Sequence, residues 1–180
     1  MVYTFIRYSA SLCHSLRLHT FIQLLALSFL LYTLSSCNHN AKSMSTTEYA
    51  FRLKPGQDLK QEIQKLVTEK QIKAGWISTC VGSLADYNIR FANQPEGTKD
   101  SGHFEIVSLT GTVSVNGSHI HISISDSTGK TIGGHLMEGC KIYTTAEIVI
   151  LSSDKFTFKR EKDGTTPWEE LQVEEMKKND

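Results

Sequence analysis

The 180-residue sequence has no surplus of charge of either sign: 19 Lys and Arg stand against 19 Asp and Glu. Proteins grip a nucleic-acid backbone through surplus Lys and Arg, so nucleic acid is not an expected partner on charge grounds. Only four cysteines occur and none forms a C-x-x-C pair, which excludes a thiolate zinc framework and a thioredoxin-type redox motif. There is no Gly-rich phosphate loop, nucleophile elbow or internal repeat, so no particular reaction is written in the chain. Acidic residues are missing altogether before Glu48.

That acid-free leader contains Arg7 and Arg17 and then an apolar run, Phe21 to Leu34. The run is short for a membrane span and suits the apolar region of a secretory signal. It ends in Leu34-Ser35-Ser36-Cys37, which resembles the bacterial lipobox. Residues 1–36 are therefore expected to be a lipoprotein-like signal peptide and 37–47 a polar tether. Lipidated Cys37 would anchor the protein to a membrane, on the periplasmic or outer-membrane side. A start at Met44 would instead make it cytoplasmic. The folded domain is expected over 48–173, with a charged tail at 174–180.

Within the domain, Tyr49–Leu53 alternates as a strand. Asp58 caps a helix whose apolar stripe is Leu59, Ile63, Leu66 and Val67, with Gln61 in the reciprocal capping position and Gly75 at the end. Trp76–Val81 reads as a strand, broken at Gly82-Ser83-Leu84 and resuming over 85–91. Asn93 to Gly102 is a polar excursion. Gly111 marks a bulge or bend between two β-rich stretches, and Asn116-Gly117 is a strong hairpin turn. Lys141 to Leu151 is the longest β-run, with Glu147 inside it, followed by a short strand over Phe156–Lys159. Trp168 is expected to dock on the body. Cys80 and Cys140 either pair or stay as buried thiols.

The chemistry concentrates in His119 to Leu136. His119 and His121 are spaced i, i+2, so on a strand they share a face, while Ile120, Ile122 and Ile124 take the other. His135 follows a turn and the Gly133-Gly134 pair, which lets the chain bring it back. Three neutral imidazoles make a three-ligand site with a fourth position open, for zinc or another divalent metal. The same spacing also suits surface or hydrogen-bonded histidines.

The chain resembles the plants-and-prokaryotes-conserved (PPC) domain. The resemblance is carried, in order, by Arg52-Leu53-Lys54-Pro55-Gly56 with Asp58-Leu59, Gly82-Ser83-Leu84 with Arg90-Phe91, and Gly102-His103-Phe104-Glu105-Ile106. His119-Ile120-His121, Gly133-Gly134-His135-Leu136 and Thr145-Ala146-Glu147 complete it. It implies an α+β fold, a mostly antiparallel β-sheet with flanking helices, assembled as a homotrimer. It also implies, for some prokaryotic members, metal near the three histidines. The Arg-Gly-Arg-Pro minor-groove reader of plant relatives is missing. Three function classes follow. The first is a trimeric module for an unidentified ligand or partner, with metal at His119, His121 and His135, and His103, Glu105, Glu147 and Arg90 as supporting or ligand-binding residues. The second is a zinc-dependent enzyme with Glu147 or Glu105 as base. The third is a DNA-binding regulator.

Overall fold

The computed structural model describes residues 46–176. The apolar run 21–34, Cys37 and the tail beyond residue 176 lie outside the described residues. Chain order is β1 (Thr46–Leu53), α1 (Leu59–Glu69), β2 (Gly75–Arg90), β3 (Thr98–Val113), β4 (His119–Ser125), β5 (Thr131–Leu136), β6 (Lys141–Ser153), β7 (Phe156–Glu161) and β8 (Glu170–Glu175). The first six strands form one antiparallel sheet in the order β1-β6-β2-β3-β4-β5. The last turn of β2 also pairs with β5, Ile89 opposite Leu136 and Arg90 opposite His135. The strands β2, β3, β4 and β5 therefore close into a ring. β7 and β8 form a separate hairpin. The expected α+β fold is present, with one helix rather than several among the described residues.

The core is filled by alternate strand residues, including Ile120, Ile122 and Ile124 of β4 and Ile142, Ile148 and Ile150 of β6. Leu59, Ile63 and Val67 of α1 join it at zero exposure. Burying each such side chain contributes about 2 kcal/mol. The helix is fixed at its start by Asp58, whose Oδ1 accepts from the backbone N–H groups of Lys60 and Gln61 at 3.1 and 3.2 Å. Its Oδ2 accepts from the Gly139 N–H at 2.7 Å and lies 3.4 Å from the Lys141 ammonium. One buried carboxylate thus caps α1 and ties it to the β5–β6 turn. Asp58→Ala leaves these donors unpaired in the core and is expected to destabilise the domain by about 2–3 kcal/mol, read as a lowered denaturant midpoint with an unchanged slope.

Several local expectations are corrected. Gln61 does not close a capping box; its side chain donates to Glu138 Oε2 at 3.0 Å. The helix ends before Gly75: Gln71 takes the left-handed position, φ +51°, and Gly75 opens β2. β2 continues as one strand through Gly82-Ser83-Leu84, but its pairing with β6 shifts register there, between Gly82 and Leu84 and again before Asp86; a Cβ at Gly82 would collide with the Thr145 carbonyl oxygen. The polar excursion is shorter than expected, since Thr98–Ser101 pair with β2. β3 shifts register against β4 between Ile106 and Ser108, and Gly111 itself is paired with Ile120. Trp168 is 60% exposed and meets the body through the Arg90 guanidinium, 5.3 Å from its ring, and Glu170–Glu175 form β8. Cys80 and Cys140 are both free thiols. Burial pushes them up to about 12 and about 11, which keeps them protonated and unreactive.

Candidate metal centre

Strand register brings the three histidines together. His121 stands directly opposite His135 across the β4–β5 ladder, and His119 lies two residues further along the same face. The Ile side of β4 is buried and the His side is turned outward. Gly134 supports the approach of β5: a Cβ there would stand 2.5 Å from the Arg90 carbonyl oxygen.

The Nε2 atoms of His119 and His121 are 3.1 Å apart, and one ring nitrogen from each of the three residues lies within 4.8 Å of the others. Ligands at about 2.1 Å in a tetrahedral zinc site stand about 3.4 Å from one another. The first pair is already at that spacing, and small ring rotations bring in the third. His135 Nδ1 is buried with no hydrogen-bond partner, an arrangement that costs about 1–3 kcal/mol unless something occupies the lone pair. Desolvation holds the His135 imidazole down at about 4, helped by the positive charges of His119, Lys60, Arg90 and His121. Desolvation, then His121 and Arg160, also lowers His119. Near neutral pH both rings are neutral and offer lone pairs, the state that a metal ion requires. The residues present fit a divalent ion.

A cleft of about 330 Å³ opens beside the cluster, lined by Thr110, Thr112, His119, His121, Arg160 and Glu170. Thr112 is the register partner of His119, and its hydroxyl accepts from Arg160 Nη2 at 2.6 Å. Arg160 and Glu170 come from the β7–β8 hairpin, which folds back over β3 and β4. Of the supporting residues expected from sequence, Arg90 is beside the cluster, opposite His135. The others are placed elsewhere. His103 stacks on Tyr143, ring centroids 4.1 Å apart. Glu105 is registered with Ser83 and Ser125, and Glu147 with Arg52 and Val81. Arg160, Thr112 and Glu170 were not legible in the sequence. No motif surrounds them, and their place depends on a hairpin whose second strand carries only a weak apolar alternation.

The match to the Plants and Prokaryotes Conserved (PCC) domain, the family abbreviated PPC above, spans residues 41–154. The chain belongs to this family. Over 128 residues it is 42% identical to the bifunctional protein GlmU of Synechococcus sp. (strain JA-3-3Ab), which covers 71% of this chain and 21% of that protein. The chain thus spans about a fifth of the length of this curated relative. A hypothetical protein of Salmonella enterica has the same fold, with TM-score 0.72, 38% identity and coverage of 74% of this chain and 96% of its own. A protein of Archaeoglobus fulgidus described as metal-containing aligns with TM-score 0.60 and 27% identity over 70% of this chain and 93% of its own. The PCC match ends before β7, so the hairpin that supplies Arg160 and Glu170 lies beyond it.

Proposed function

We propose that this PCC protein is a binding module built around a divalent metal ion, zinc in the first instance, held by His119, His121 and His135. The observation that carries the reading is the convergence of three imidazole nitrogens within 4.8 Å on one outward face. The metal-containing relative supports it. A divalent ion held by three neutral imidazoles supplies an open coordination position to a donor atom of a ligand. The chain's own residues orient that ligand: Thr110 and Thr112 form the floor of the cleft and Arg160 a wall. Metal analysis of the full chain, purified without chelator, tests the reading. About one divalent ion per chain is expected, and a metal-free chain that takes up no added zinc would sink it.

We further infer that the domain assembles as the homotrimer its family resemblance implies. Val81 and Val107 are each 58% exposed and Tyr143 is 42% exposed. They stand on the adjacent strands β2, β3 and β6, alternating with buried Ile106 and Ile142. Apolar side chains collected on one sheet face mark a contact surface, and copies of the same chain are its proposed occupants. Sedimentation is expected to give three chains per particle, and Val107→Lys to shift it toward monomer. A wild-type monomer at micromolar concentration would overturn this. The membrane anchor is proposed at Cys37, and Cys37→Ala is expected to move the protein from the membrane fraction to the soluble one.

A further inference from the structure

Two guanidinium groups that the metal does not use stand by the histidines: Arg160 lines the cleft and Arg90 lies opposite His135. Arg160 reaches the cleft from β7 and is aimed by a single hydrogen bond, to Thr112. Arg90 stands at the end of β2, opposite His135 and beside the cleft. The indole ring of Trp168 lies 5.3 Å from the Arg90 guanidinium, and its Nη1 makes one long contact, 3.4 Å, to the Gln94 carbonyl oxygen. None of the three ion pairs among the described residues involves either arginine. Each guanidinium has five N–H donors in a planar fork, so most of this donor capacity is unspent. Glu170 is the carboxylate that lines the cleft. Its Oε1 is engaged by the Thr166 hydroxyl at 2.5 Å, and its one charge is outweighed by two guanidiniums and a divalent ion. A volume of about 330 Å³ suits a small molecule, at the lower end of ligand pockets.

We propose that this cleft binds a small molecule carrying an oxyanion, a carboxylate or a phosphate. The Arg160 guanidinium holds the anion, with the Arg90 charge beside it, while a second donor atom of the same molecule takes the open metal position. The inference rests on the metal reading above and adds the ligand class to it. A planar fork matches two oxygens of a carboxylate or phosphate at once, and a half-buried arginine already positioned by Thr112 loses little freedom on binding. Arg160 lies on the hairpin beyond the residues matched to the family.

The test is calorimetric titration of the zinc-loaded full chain with succinate and, separately, with inorganic phosphate. Binding is expected in at least one arm, and the arm that binds identifies which anion chemistry the cleft takes. Arg160→Gln is expected to weaken that binding at least tenfold, and Arg160→Lys to restore it only in part, because an ammonium keeps the charge without the fork. Zinc content per chain should be the same in wild type and both variants, which shows that the fold and the histidine site are intact. If zinc is bound but neither anion binds, or wild type and Arg160→Gln bind equally well, the anion site is refuted and the metal centre stands. If the wild-type chain holds no zinc, the metal reading fails, and this proposal fails with it.

Discussion

His121→Ala is expected to lower zinc affinity by at least about 100-fold. Losing a group that merely orients a ligand already costs 10–100-fold, and His121 would itself be a ligand. It is also the middle of the set: its Nε2 is 3.1 Å from that of His119, and it is the cross-strand partner of His135. Removing it leaves two imidazoles on different strands. The loss should appear in stability as well. Free zinc at 1,000 times its dissociation constant stabilises a folded chain by about 4 kcal/mol, and the variant should forfeit most of that gain while its metal-free stability stays near wild type. His103→Ala is the control, because His103 packs on Tyr143 and should leave zinc affinity unchanged. Equal zinc affinity in His121→Ala and wild type would remove the basis of the proposed function.

Gly111→Ala should be the most damaging single methyl group near the site. β3 passes so close to β4 there that a Cβ would strike the His119 carbonyl oxygen and lie 2.7 Å from the Ile120 Cα. Both obstacles are backbone, which cannot rotate aside, so the two strands must separate. Overpacking of this kind costs about 3 kcal/mol or more. It would displace the strand that carries His119 and His121, so metal affinity should fall together with the thermal midpoint. A variant with wild-type stability and wild-type metal content would show that this close contact is dispensable.

Much of this was legible in the sequence because it rests on local periodicity. The alternation of His119 and His121 with three isoleucines assigns the two faces of β4 without reference to any other strand, and the Asp58 cap and the α1 stripe are equally local. His135 could be matched to His121 because a short turn fixes the register of β4 and β5. Arg90 was identified as a supporting residue through resemblance, and its position opposite His135 comes from the closing pair between β2 and β5. Glu147 drew attention as a carboxylate within an apolar run and Glu105 as a candidate base, yet they stand on exposed faces registered with Arg52 and Ser83. A carboxylate on a strand is informative only once the strand's faces are known. Arg160 and Glu170 were invisible for the opposite reason: their neighbours are ordinary, and only the return of the β7–β8 hairpin gives them a role.

The closing of β2 onto β5 also sets the order in which the site can assemble. The three imidazoles lie within residues 119–135, so they converge as soon as one local hairpin forms, an event of about 1–10 μs. The guanidiniums of Arg90 and Arg160 are 70 residues apart in sequence and come near the histidines only after long-range strand pairing, which is slower because large loops must close first. A nascent chain would therefore present a metal trap before it presents a ligand site. Zinc held by the hairpin would already be bound in the folding transition state, so the ion should raise the folding rate and leave the unfolding rate nearly unchanged.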